Sequence, residues 1–280
     1  MSGKLYVVGT PIGNLGDLSL RAAETLEKVD FIAAEDTRVS VKLLNHLNVK
    51  TPMVSYHEHN KTSRHDMIIE RILGGESCAI VTDAGMPAIS DPGEDLVRCC
   101  RERGIEVESV PGPSALITAL AISGMPSKRF SFEGFLSVEK KERAKLLESI
   151  KNDQRTLIFY EAPHKLAGTL ADMLKIFGDR QLALCKELTK LHESCERTTL
   201  KTAAEKYSDG SAKGEYVIIV GGASVLENEE KYTIEDAVRM AKDLVSDGMS
   251  TTLASKTVAK DIGLRRNDIY KALIEREGKQ

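Results

Sequence analysis

At 280 residues the chain is long enough for two domains and a small module, and it can bury about three quarters of its unfolded surface without disulfide or metal staples. Apolar residues at 41% and charged residues at 29% fit a globular protein and exclude a disordered one. A net charge of −3, no tryptophan, and only seven tyrosines and six phenylalanines argue against an obvious polyanion binder or a stacking platform for single-stranded bases.

In chain order, LYVVG (5–9) reads as a strand, followed by a Gly/Pro loop and the amphipathic helix SLRAAETLEKV (19–29). The strand DFIAAE, the helix TRVSVKLLNHL, the strand PMVSY and the helix SRHDMIIERIL follow. CAIVTD (78–83) is a buried strand leading into the long loop AGMPAISDPG; then come the helix EDLVRCCRERG, the strand IEVESV, and PGPSALITALAISG, a turn entering a helix. Such alternation predicts right-handed βαβ units and a mostly parallel sheet.

GMPSKRF (124–130) breaks the pattern with Gly and Pro, which puts a first domain at 1–123. The second, 124–223, has more strands per helix: FSFEGFL, TLIFY, QLALCKEL, ESCERTTL and EYVIIVGG, with helices near 139–151 and 164–177. The charged, aperiodic SVLENEEKY (224–232) reads as a linker. After it, Thr233 and Asp236 predict a capping box for a helix reaching about residue 246. The module 233–280 continues with TTLASKTVAKDIGLRRNDIYKALIE, two helices joined by a Gly-containing turn. Ala259, Gly263 and Ile269 have helix-turn-helix spacing, and Val258, Leu264 and Leu273 complete its core. Arg265, Arg266 and Asn267 then stand at the exposed start of the second helix, where nucleic acid is met. Residues 231–280 carry +2 against −5 for the rest. A plain helical packing module with solvated charges is the bland alternative.

No apolar run approaches ~18 residues, so no membrane span is expected. KLYVVG begins by the fourth residue, which leaves no room for a signal peptide. The cysteines (78, 99, 100, 185 and 195) include no CxxC pair, and their odd number reads as reduced thiols. A cytoplasmic location is the expectation.

Three loops leave strand ends in the first domain. VVGTPIGNLGD has GxxxGxxG spacing, not the GxGxxG of a dinucleotide fold, and Pro11 intrudes; Glu35 and Asp36 nevertheless end the second strand where a ribose-binding acid would sit. TDAGMPAISDPG is rich in small residues and prolines, which suits backbone contacts to a ligand, and Asp83 could accept bonds from an amino or ribose hydroxyl group. VPGPSALITAL enters a helix with Ser114 near its N-cap, where free N–H groups favour an anion and where capping alone would also explain the serine. In YHEHN (56–60), His57 and His59 share a strand face but lack the third and fourth ligands of a zinc site, so no metal is expected.

Together these loops resemble the class III, tetrapyrrole-methylase-fold family of S-adenosylmethionine-dependent methyltransferases, and KRFSFEGFL, TLIFYEAPHKL, CKELTKLHE and KGEYVIIVGG are similar to its ribosomal RNA branch. GTPIGNLGD and TDAG depart from the corrin and sirohaem branch at its two characteristic loops. The resemblance implies two α/β domains with the cofactor cleft between them, no metal, a homodimer, and 2′-O-methylation of a cytidine in the decoding region of small-subunit ribosomal RNA. Carried over by position, it implies cofactor contacts from Ile12, Asp83, Ala84, Gly85, Met86, Ser114 and Ala115, and from Tyr160, Leu188 and Glu215 in the second domain. Lys186 and Glu187 are candidates for the proton acceptor, with His57 a further substrate-side candidate. A tetrapyrrole methyltransferase and a ligand-sensing DNA-binding regulator are the rival readings.

Overall fold

The structure, a computed structural model, describes residues 3–57, 61–224 and 233–277, with backbone alone at 61–63 and 275–277. Two compact units emerge, Met1–Ala223 and Ser224–Gln280.

The first unit opens with β1 (Lys4–Val8), α1 (Leu20–Lys28), β2 (Phe31–Ala34), α2 (Thr37–Leu47) and β3 (Met53–Ser55). It continues with α3 (Lys61–Leu73), β4 (Cys78–Val81), α4 (Glu94–Glu102) and β5 (Glu106–Val110). The strand order is β3-β2-β4-β1-β5, with every pairing parallel. Alternation along β2 explains why both faces need cover: Phe31 and Ala33 enter one apolar cluster, and Ile32 enters the other. Ser19 and Asp36 begin α1 and α2 by accepting bonds from the backbone N–H groups of Ala22 and Arg38.

A second sheet follows, built from β6 (Phe130–Phe135), β7 (Thr156–Glu161), β8 (Gln181–Lys186), β9 (Ser194–Thr199) and β10 (Tyr216–Val220) in the order β6-β7-β10-β8-β9. Only β6 and β7 pair in parallel. One face is covered by α6 (Lys140–Ile150), α7 (Pro163–Phe177) and α8 (Leu200–Lys206). The other is covered by α5 (Ala115–Ser123), whose Leu116, Ala119 and Leu120 pack on Ile158, Ala183 and Ile219. Thus α5 leaves the last strand of the first sheet and is buried by the second.

Two expected strands are shorter than the sequence suggests. ESCERTTL stops at Thr199, because the Thr199 hydroxyl accepts from the Thr202 N–H and starts α8, whose Leu200 and Ala203 are buried. QLALCKEL stops at Lys186, because Glu187 and Thr189 take left-handed φ values of 50° and 65°. The first loop also contains a 3-10 turn, Leu15–Asp17, in which Asn14 accepts from the Gly16 N–H at 3.0 Å. Of the expected linker, residues 225–232 lie outside the described residues, as does His59.

In the second unit α9 (Ile234–Ser246) begins with a complete capping box of Thr233 and Asp236. α10 (Thr251–Ile262) ends at Gly263 in the left-handed region, and α11 (Arg266–Glu277) follows. Ala237, Ala241, Ala254, Val258, Ile269 and Leu273 make a buried core with Ala259 and Leu264 packed on it. Arg265, Arg266 and Asn267 are exposed at the start of α11.

Candidate active site

All three loops leave the carboxyl ends of parallel strands: one after β1, one after β4, one after β5. The chain passes from β1 to β2 on one side, and later from β4 across β1 to β5 on the other. An open α/β sheet holds its ligand crevice at such a switch point. Backbone contact is close there. Thr10 and Gly85 exchange N–H···O bonds of 2.9 and 3.1 Å, and the buried Thr10 hydroxyl donates to the Thr82 carbonyl at 3.1 Å. A Cβ on Gly9 would lie 2.7 Å from the backbone of Gly112, so the first and third loops meet through glycines. In the second loop Gly85 has φ 92°, and Ala88 and Ser90 are left-handed at 66° and 64°. Such conformations cost energy for non-glycine residues and cluster at ligand sites.

These loops and the second sheet enclose a cavity of about 580 Å³, within the range of small-molecule sites. All ten residues expected to touch a cofactor line it. Ile12 comes from the first loop, Asp83 to Met86 from the second, Ser114 and Ala115 from the third, and Tyr160, Leu188 and Glu215 from the second sheet. Ser114 occupies the N-cap of α5, yet its side chain makes no capping bond. The Tyr160 hydroxyl serves instead, accepting from the Leu116 N–H at 3.1 Å, with its ring held edge-on by Phe132 and Phe135. Leu188 is buried, delivered by the left-handed residues on either side of it.

The polar wall is acidic. Glu35 accepts from the Thr82 hydroxyl at 2.5 Å, and Asp83 accepts from the Asp36 N–H at 3.2 Å, which ties the ends of β2 and β4 together. Burial, and next the Glu35 charge, push the Asp83 carboxyl above its ordinary value. Asp91, in the ISDPG end of the second loop, is driven to about 6 by burial first and then by Glu35 and Asp83, with a hydrogen bond to Thr82 opposing them. A second cavity of about 540 Å³ adjoins the first, and Glu35, Ser90 and Asp91 face both. His57 lines this second cavity.

Lys186 and Glu187 are absent from the lining of either cavity. The Glu187 carboxylate is occupied: it accepts from the Glu215 N–H at 2.9 Å and from Lys190 Nζ at 3.1 Å. The bond from the Glu215 backbone, above all, lowers its pKa. Glu187 is therefore a brace for the β8–β9 connection and a weak proton acceptor. Asp91 is the residue that the sequence alone does not single out. A small-residue loop hides this carboxylate, and only the crowding of Glu35, Asp83 and Asp91 around one space reveals it.

Residues 4–204 match the family model of tetrapyrrole (corrin/porphyrin) methylases. The chain is 44% identical over 276 residues to the ribosomal RNA small subunit methyltransferase I of Synechocystis sp., covering 98% of this chain and 99% of that protein. It is 46% identical over 220 residues to the protein of the same name from Thermotoga maritima, covering 79% of this chain and 99% of the relative. Its fold is similar to that of the uroporphyrin-III C-methyltransferase of Thermus thermophilus complexed with S-adenyl homocysteine, with a TM-score of 0.55, 20% identity, and coverage of 78% of this chain and 97% of the other.

Proposed function

This chain belongs to the tetrapyrrole methylase family and, within it, to the ribosomal RNA small subunit methyltransferase I proteins, and from that membership we propose that it methylates a ribose 2′-hydroxyl of a cytidine in the decoding region of small-subunit ribosomal RNA. The methyl donor is S-adenosylmethionine. The observation that carries the reading is a single cavity at the switch point that gathers loop residues of the first sheet and strand ends of the second. The near full-length kinship with RNA methyltransferases favours RNA over a tetrapyrrole substrate, and the methylase match sets the regulator reading aside.

The cavity fits the cofactor chemically. Gly85 in its lining admits a ligand close to the backbone, Ile12, Met86 and Leu188 offer apolar cover, and the acidic rim suits a molecule bearing sulfonium and ammonium charge. When bound, S-adenosylmethionine supplies a methyl group on a positively charged sulfur. The chain's residues must then hold a ribose oxygen in line with that methyl and take the hydroxyl proton. Asp91 meets the second need: it stands where the two cavities join, and at neutral pH its carboxylate is ionised yet more basic than an ordinary aspartate. His57 lines the adjoining cavity and is the substrate-side candidate in this reading. Lys186, at the end of β8, and Glu187 serve the loop and the approach of RNA in this reading.

Arg265, Arg266 and Asn267 guide the RNA. The 1–123, 124–223 and 233–280 division, a cytoplasmic location and an assembled subunit as substrate belong to the same reading. No helix among the described residues is long and apolar enough to cross a membrane. Ile117 and Ile122 are about half exposed on α5, which favours a homodimer.

The test is incubation of the full chain with methyl-labelled cofactor and, separately, small subunits, protein-free small-subunit RNA and porphyrinoids. Label on a cytidine ribose oxygen is the expected outcome. Label on a porphyrinoid, or none on either RNA, overturns the reading.

A further inference from the structure

Cys185 on β8 and Cys195 on β9 stand directly opposite each other in the antiparallel pairing of these strands, so their side chains leave the same face of the sheet. Their sulfurs are 2.7 Å apart, far inside the ~3.5–4.0 Å of ordinary non-bonded contact between carbon atoms. Both are free thiols. They differ in access: Cys185 is fully buried, with its S–H directed at the Ala119 carbonyl of α5 at 3.7 Å, whereas Cys195 is only partly buried. None of the chemistry proposed above uses either of them.

We propose that Cys185 and Cys195 are a reversible thiol–disulfide site, closed by a low-molecular-weight disulfide such as oxidised glutathione. In the first step the accessible Cys195 thiolate attacks a sulfur of the small disulfide. A Cys195–glutathione mixed disulfide forms, one glutathione leaves as thiolate, and the Cys195 proton goes to solvent. In the second step Cys185 attacks the Cys195 sulfur and passes its proton to the departing sulfur, expelling the second glutathione as thiol. Two cysteine thiols are oxidised, and one disulfide is reduced to two thiols. Burial raises the Cys185 pKa strongly, so it does not initiate exchange. As the resolving thiol it needs proximity more than acidity, and the 2.7 Å approach supplies that. The other three cysteines offer no such pair. Cys78 and Cys100 share one apolar cluster but both are fully buried, so neither meets a soluble disulfide first, and Cys99 follows the helical path of α4, where neighbours in sequence point in different directions.

The bond would lie at the base of the β8–β9 connection, whose Leu188 lines the main cavity. It would fasten the edge strand β9 to the sheet without requiring a shift of register.

The full chain, reduced and freed of reductant, is incubated undenatured with oxidised glutathione, alkylated, digested and mapped by mass spectrometry. We expect one linked peptide pair carrying residues 185 and 195, two hydrogens lighter than the reduced pair, with Cys78, Cys99 and Cys100 alkylated. The melting midpoint should rise by about 5–10 °C, as expected for closing a short loop in a unit of this size, and dithiothreitol should reverse both changes. Cys195→Ser and Cys195→Ala should abolish link and shift together, while Cys99→Ser leaves both intact. Arrest as a glutathione adduct on Cys195, alkylation of all five cysteines, a link formed only in denaturant, or a link without a thermal shift would each overturn the proposal.

Discussion

At the scale of single residues, Asp91 is where stability and chemistry pull in opposite directions. Its folded pKa of about 6 lies above the ~3.9 of an unfolded aspartate, so the folded state binds the proton more tightly. The stabilising form is the neutral one. Stability is therefore lost as pH rises from about 4 to about 6, where the carboxylate ionises beside Glu35. The proposed role as proton acceptor needs that ionised form. Methyl transfer by the native chain should rise with pH through about 6, if substrate binding is saturated. Asp91→Asn should lower turnover by roughly 10²-fold or more, bind S-adenosylmethionine with near-native affinity, and melt higher than the native protein at pH 7. Paired turnover and melting measurements check this. A variant that loses stability along with activity would instead mark Asp91 as a structural residue.

At the scale of elements, the site depends on strand ends that almost touch. Gly9 closes β1 where the backbone of Gly112 leaves β5, and any Cβ there must move one of them or the Met86 sulfur, which would lie 2.6 Å away. Gly9→Ala should cost roughly 1–3 kcal/mol, as overpacking does, and weaken cofactor binding more than Gly168→Ala on α7, where a Cβ meets nothing within 4 Å. Denaturant titration with calorimetry on the two variants separates close approach from a general glycine effect. These elements also mark how far the sequence could be read. The parallel strands announced themselves because FIAA and CAIV are short apolar runs between helices with one apolar stripe each. The C-terminal helices carry their own start and stop signals in Thr233, Ser250 and Gly263. What escaped was decided at longer range. The left-handed turn at Glu187 and Thr189 is held by the distant Glu215, and SCERTT followed by LKTAAEK shows no break between strand and helix except the cap at Thr199. The residues lining the main cavity were legible through the family resemblance, which carried them over by position, while small residues and glycines marked the loops themselves. The carboxylate cluster was not, because Glu35 after β2 meets Asp83 and Asp91 after β4 only once those two strands are aligned.

At the scale of the whole molecule, the proposed function divides catalysis and RNA capture between the two units. The Thermotoga maritima relative is matched over nearly its full length by 220 aligned residues, about the size of the first unit. Residues 1–223 alone should therefore fold, bind S-adenosylmethionine with unchanged affinity, and methylate small subunits with a sharply raised KM and a kcat within a few-fold of the full chain. Replacing Arg265 and Arg266 by alanine in the full chain should raise KM less and reduce the salt slope by about two, because two phosphates are then left to their counterions. An unchanged KM after truncation would reduce the terminal helices to a packing module. Within the first unit, α5 has a further mechanical consequence. It begins at the rim of one sheet and is embedded in the apolar layer of the other, so it acts as a pin through both. Spreading the two sheets apart would pull Leu116, Ala119 and Leu120 out of that layer, at about 1.5–3 kcal/mol for each leucine. Cofactor exchange is therefore expected through the mouth of the cavity, with the sheets as a fixed frame, and the helix whose first residues line the site also limits how widely that site opens.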